Sequence, residues 1–283
     1  MFFLIDKPLG ISSFDVIRHL RKVLSIRKMG HAGTLDPLAT WLMLIATENS
    51  TKLLSLLDSA TKEYIFTVRL DGVSESFDLG TPIDSHDITP RIRRTPEELR
   101  EYLLSQTSQD TPRYSALHID GQRAYDLARK GEIFDTPKRT IEVSEVEIID
   151  YQESEITIRM VLSSGWYIRS FAPLIGQFFW LPGWYISSLR RAHISYAHGE
   201  LDISDATDYD QPLEISYDGV FRDIPLREIT LSEYSDLSLW KTILSPWDAT
   251  LVDRYVFLSY RPAWFLSIVQ EKEHIYTIVK NNV

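Results

Sequence analysis

The chain has 283 residues, 44% of them hydrophobic and 25% charged, the balance of a folded protein with one large domain or one domain and a small appendage. It contains no cysteine, which excludes disulfides, thiolate nucleophiles and cysteine-ligated zinc or iron-sulfur sites. A net charge of −10 weighs against nucleic acid, but the acidity is uneven: residues 1–50 carry +2, residues 1–200 carry −3 and residues 201–283 carry −7.

In chain order, FFLIDKPLG predicts a strand ending in a Pro-Gly loop. It has no basic leader, and no later stretch approaches the ~18 apolar residues of a membrane span, so a cytoplasmic protein is expected. SSFDVIRHLRKVL predicts a helix capped by Ser12 or Ser13. Its period puts Val16, Ile17, Leu20, Val23 and Leu24 on one side and Arg18, Arg21 and Lys22 on another, a face for solvent or for phosphates. In the next segment, HAGTLDPLATW, Pro37 restricts Asp36 to extended geometry, and Gly33 permits a tight turn. Such a loop either displays a preorganised nucleophilic carboxylate or is ordinary turn chemistry.

LMLIAT then predicts a strand, ENSTKLLSLLDSA a helix, and KEYIFTVRLDG a strand beginning near Tyr64. Asp120-Gly121 marks a tight turn before the short helix AYDLARKG, which stops at Gly131. IEVSEVEIIDY and ESEITIRMVLS predict strands, and SFAPLIGQFF a helix. Between them, SSGWYIRS places Tyr167 and Arg169 two apart, which on a strand would point both the same way. That pair suits a stacked base, a partner for Asp36, or a plain core-and-surface alternation. SSLRRAHIS adds Leu189 beside Arg190 and Arg191. The irregular mixture fits an α+β fold with a mixed, largely antiparallel sheet. A composition shift near residue 200 divides a domain over 1–199 from a small β-rich module over 200–283.

Other chemistries find no support. There is no P-loop, no dinucleotide fingerprint and no nucleophile elbow. The seven histidines are scattered without a compact ligand spacing, so no metal is expected.

Taken in order, DKPLGISSFDVIRHLRK, GHAGTLDPLAT, TKEYIFTVRLDG, PRYSALHIDGQRAYDLARKGE, SSGWYIRSFAPLIG and ISSLRRAHIS resemble the TruB family of tRNA pseudouridine synthases over residues 3 to 195. The resemblance implies a pseudouridine-synthase catalytic domain followed by a small RNA-binding module. It also implies a monomeric enzyme that isomerises uridine to pseudouridine in the T-loop of tRNA, at position 55, without metal or organic cofactor. By motif, Asp36 would be the nucleophile; Tyr64 would stack on the extruded uracil; Tyr167 would lie against ribose and base; Arg169 would pair with Asp36. His31 would occupy space around the flipped nucleotide, Leu189 would close the apolar side of the pocket, and Lys7 would serve loop structure. Two other readings stand beside this one: a catalytically weak tRNA-binding or folding protein, and a synthase acting on another RNA.

Several of the seven tryptophans fall where the family pattern has glycine or another small residue, notably Trp41, Trp166, Trp184 and Trp240. They are either true residues accommodated by the loops, true and damaging, or UGA codons that the source reads as glycine. The composition favours the last: 12 glycines in 283 residues is a low share.

Overall fold

The structure is a computed structural model that describes residues 1–34, 36–57, 61–85, 94–181, 183–239, 243–244, 254–260, 265–272 and 275–280. Strand β1 (Phe2–Lys7) is apolar on both faces, and each face has its own core. Phe3 and Ile5 pack with Val16, Ile17 and Leu20 of helix α1 (Ser13–Val23), whereas Phe2 and Leu4 pack with Leu53, Ile194 and Phe221. Strand β2 (Thr40–Thr47) repeats the pattern, with Met43 and Ile45 on the first face and Leu42 and Leu44 on the second. A continuous apolar run is what a strand covered on both sides requires.

Five more long strands extend the sheet: β3 (Thr61–Arg69), β4 (Gly72–Asp78), β5 (Val143–Tyr151), β6 (Glu155–Leu162) and, at the centre, the 13-residue β7 (Trp184–Tyr196). The order is β5-β6-β3-β7-β2-β1. All neighbours are antiparallel except β7 with β2, so the sheet is mixed and largely antiparallel, as the sequence predicts. β4 pairs in parallel with β7 at one end. Helices α2 (Pro96–Leu104) and α3 (Phe171–Phe179) bury Leu99, Leu103, Phe171 and Ile175 in the first core.

Two local expectations change. The helix expected from Glu48 is a 3-10 helix over Glu48–Leu57. Hydroxyls of Thr51 and Ser55 donate to carbonyls three residues back, at 2.8 and 3.2 Å, consistent with the tighter i to i+3 winding. The first sheet also continues past residue 199: Gly199–Asp202 pairs with β7, while Thr207–Asp208 and Glu214–Ile215 pair with β1. A separate five-stranded sheet begins at Leu226 and is built around Arg254–Tyr260, Phe265–Lys272 and Ile275–Lys280.

Candidate active site

Asp36 stands on a loop tied to the β1 terminus. Lys7, fully buried, donates its ammonium to the carbonyls of Pro8 at 2.8 Å, Ile11 at 2.7 Å and Pro37 at 3.3 Å. The Gly10 amide also donates to the Pro37 carbonyl, at 2.9 Å, and Gly10 takes a φ of +87°, open to glycine at little cost. Burial lowers the Lys7 pKa to about 8, against the attraction of Asp36. The K-P-x-G loop thus braces the D-P loop by backbone contacts, and the one ammonium that joins them lies near the carboxylate.

Arg169 grips that carboxylate from below. Its Nε donates to Oδ2 of Asp36 at 2.9 Å and its Nη2 to Oδ1 at 3.0 Å, a two-point fork that fixes both oxygens. The guanidinium is 3% exposed, and its other hydrogen bonds run to the carbonyls of Ser76 at 3.1 Å and Tyr114 at 2.8 Å. Asp78 lies 3.4 Å from Nε and is itself held by Ser76 Oγ at 2.5 Å and the Gly80 amide at 2.8 Å. The sequence reading missed Asp78, Ser76 and Tyr114, because two act through backbone carbonyls and the third is an unremarked acid on β4.

Tyr167 and Arg169 do not project together from a strand. Gly165, at φ +95°, turns the chain, and Ile168–Ser170 forms a 3-10 turn leading into α3. Arg169 is therefore directed under Asp36, while Tyr167 faces a cavity of about 270 Å³ in front of it. Tyr64 and Leu189 line the same cavity, so four predicted residues, Asp36, Tyr64, Tyr167 and Leu189, converge there from four separate segments. Tyr64 is deeply buried, which raises its pKa, with the charge of Arg191 opposing. Arg139 lies over the Tyr167 ring, 5.9 Å from its centroid.

His31 does not line this cavity. It lines a neighbouring one of about 420 Å³ that shares Gly33, Lys62 and Ser164 with the first. Burial and the charge of Arg191 lower its pKa against a hydrogen bond with the Gly33 backbone, and burial is the larger cause. On the other side, Asp36 and Arg169 border a cavity of about 510 Å³ with Tyr114, Tyr125, Arg123 and Arg129. Among the described residues, no group of histidine and acidic side chains is arranged to hold a metal.

Of the tryptophans in described segments, Trp41 forms part of the first cavity, edge-on to Tyr64 at 5.6 Å with the Arg191 guanidinium 5.0 Å from its ring. Trp166 stacks on Phe171 at 5.1 Å and donates to Ser163 Oγ at 3.0 Å. Trp184 lies against Gly176, where an added Cβ would stand 2.4 Å from its ring. The indole N–H groups of Trp41 and Trp184 are buried with no hydrogen-bond partner among the described residues. Trp180 ends α3 in a left-handed conformation, φ 59° and ψ 33°, with 85% of its surface exposed. Trp240, Trp247 and Trp264 lie outside the described residues.

Comparison with known proteins gives the family. The family model "TruB family pseudouridylate synthase (N terminal domain)" matches residues 21–168. A tRNA pseudouridine synthase B of Phocaeicola vulgatus is 42% identical over 179 residues, 61% of this chain and 76% of that protein. Its namesake from Corynebacterium glutamicum is 34% identical over 249 residues, 84% of this chain and 82% of that one. Among solved structures, an H/ACA RNP bound to a substrate RNA containing 2'-deoxyuridine superposes with a TM-score of 0.63 at 17% identity, covering all of this chain and 84% of that one, a likeness of fold. With its braced Asp36 loop, its Arg169 fork and these relatives, the chain belongs to the TruB family of pseudouridylate synthases.

Proposed function

We propose that this protein isomerises uridine to pseudouridine in tRNA, at position 55 of the T-loop, with Asp36 as its nucleophile. The observation that carries the reading is the carboxylate itself. It is held at two points by Arg169, is 36% exposed, and opens on a cavity flanked by Tyr64, Tyr167 and Leu189. The relatives named tRNA pseudouridine synthase B supply the substrate class.

The reaction breaks the bond between ribose C1′ and N1 of uracil, turns the base, and forms a bond from C1′ to C5. The C5 hydrogen leaves as a proton and N1 gains one, so product and substrate have the same atoms. Base and sugar must be reached outside the helical stack, and extrusion of a base costs a few kcal/mol. Stacking on aromatic side chains offsets ~1–3 kcal/mol of that. Tyr64 and Tyr167 supply such faces, Leu189 an apolar wall, and Asp36 an anion whose position does not depend on the arrival of substrate. His31 lines the adjoining cavity, so on this reading it meets a neighbouring part of the RNA and not the reacting base.

The test is conversion of unmodified tRNA by the purified protein, scored as pseudouridine, with Asp36→Ala alongside. Product from the wild type, none from Asp36→Ala, and none from a tRNA whose T-loop uridine is replaced are expected. Product that survives Asp36→Ala would remove the nucleophile assignment, and tRNA binding without product would favour a binding or folding role.

A further inference from the structure

The cavity in front of Asp36 carries more positive charge than the protein neutralises. Lys62, Arg139 and Arg191 line it, whereas its one carboxylate is already held by Arg169. Two other arginines of the same sheet find acids: Arg190 meets Asp6 at 2.8 Å, and Arg159 meets Glu63 at 2.5 Å. Among the described residues, Lys62 and Arg191 make no such ion pair. Lys62 Nζ reaches Ser164 Oγ at 3.3 Å, and Arg191 Nε and Nη2 both turn to the carbonyl of Leu42, at 3.1 and 2.6 Å. Arg191 is 1% exposed, and its other partners are the Tyr64 side chain and the Trp41 ring 5.0 Å away, so a buried cation is held by neutral groups alone.

The two cations meet at Gly33. A Cβ built there would stand 3.1 Å from Arg191 Nη1 and 3.8 Å from Lys62 Nζ, so the missing side chain leaves room over both nitrogens. This place is also the junction of two cavities. On one side is the cavity with Asp36, Tyr64 and Tyr167; on the other, one of about 420 Å³ walled by His31, Leu54, Leu57 and Ile194. Two adjoining cavities with cations between them match two consecutive nucleosides with their linking phosphate.

We propose that Gly33, Lys62 and Arg191 form a seat for the RNA phosphodiester that joins the reacting uridine to its neighbour, whose base enters the second cavity. The inference rests on the reading of this protein as an RNA uridine isomerase. The seat explains why two cations are held side by side without an acid. Burial, and then the charge of Arg191, lower the Lys62 pKa to about 8, and a bound anion opposes both causes. Arg139, at the mouth of the first cavity, adds a third positive group facing the strand.

The test uses T-arm stem-loop RNAs in which one of the two phosphodiesters flanking the target uridine is replaced by a neutral methylphosphonate. Affinities are measured for the wild type, Lys62→Met and Lys62→Arg, with thermal melting as a check on folding. One of the two neutral linkages is expected to weaken the wild type by about tenfold, the scale of one charged contact. It should weaken Lys62→Met clearly less than the wild type, since only the Arg191 contact then remains to be lost, and Lys62→Arg should recover most of the wild-type response. The slope of log Kd against log salt should fall by about 0.7–0.9 in Lys62→Met, the share of one phosphate. Neutral linkages that leave the wild type unaffected, or that weaken wild type and Lys62→Met equally, overturn the seat. Wild-type protein that does not bind the unmodified RNA at all overturns the synthase reading, and the seat with it.

Discussion

Replacing Arg169 by lysine keeps the charge and removes the fork. In the structure one planar group serves two oxygens of Asp36, the carbonyls of Ser76 and Tyr114, and the neighbouring Asp78. A lysine ammonium is a single point with three donors, so it cannot hold two carboxylate oxygens in parallel while reaching both carbonyls. Asp36 then keeps an attractive partner but loses its fixed orientation. Misplacement of a reacting group by ~1 Å costs about 10²-fold in rate, and loss of a charge-assisted contact adds to it. The expected fall in kcat is about 10²- to 10³-fold, or ~3–4 kcal/mol of barrier at 1.36 kcal/mol per factor of ten. KM for tRNA should move less than about threefold, because affinity for RNA comes chiefly from phosphate contacts, whereas the donors of Arg169 are already taken up by Asp36 and the carbonyls of Ser76 and Tyr114. The assay follows tritium released from C5 of labelled uridine in tRNA, under saturating and subsaturating conditions. Kcat within threefold of wild type, or a loss confined to KM, would refute the argument that the fork acts by orienting the carboxylate.

Lys7→Met should lower stability by about 1–3 kcal/mol, because the Pro8 and Ile11 carbonyls lose their ammonium donor, and should lower kcat through the slackened Asp36 loop; unchanged urea midpoint and rate would contradict this. Lys62→Met should be more stable than wild type at pH 7 by about 1–2 kcal/mol, since it deletes a desolvated cation beside Arg191. Its advantage should be full below pH 8 and shrink as pH rises from the folded pKa of about 8 towards the ordinary 10.5, because over that window the unfolded wild type binds more protons than the folded one; urea titrations at pH 7 and pH 10 that show the opposite trend would refute it. At position 180, glycine should be more stable than alanine by about 0.5–1 kcal/mol, the reverse of their order inside a helix, because φ is 59° there; alanine equal to or above glycine in melting temperature would mean that the left-handed cap carries no strain.

Much of the site was legible because each residue sits in a local frame that its own neighbours dictate. Gly33 and Pro37 restrict the Asp36 loop, and the alternation of KEYIFTV turns Tyr64, Phe66 and Val68 inward on β3. What one strand of sequence could not show is what distant segments bring to a shared point. Asp78 reaches Arg169 only because β4 pairs with β7 at its end, and Lys62 meets Arg191 because β3 and β7 are neighbours in the sheet. The turn at Ile168–Ser170 was hidden for a different reason: Gly165 breaks the extended run just before the pair whose spacing suggested a strand. Likewise the short edge strands after residue 199 are polar and acidic, so composition alone set them apart from a sheet to which they are paired. The tryptophans show both kinds of outcome. Trp166 has a stacking partner and an acceptor, whereas Trp180 occupies a helix-ending position suited to glycine. Peptide masses of the protein from its own source, showing glycine or tryptophan at position 180, decide between the readings.

The overall charge of −10 is a poor guide to what the site attracts. At physiological salt the field of an exposed charge decays over ~8 Å, so exposed acids are strongly screened, while buried cations are screened less. The exposed basic face of α1 shows the other limit: Arg18 is spent on Asp15 at 2.7 Å. By contrast, the cations at the cavity are kept from acids by the fold, with Arg191 bound to a carbonyl and Lys62 to a hydroxyl. Neutral partners leave that arrangement costly, and the phosphate of the proposed seat would relieve it. On the proposed function, positive charge is thus gathered beside Asp36, where a base would be delivered, and need not be spread over the surface of an acidic protein for it to hold RNA.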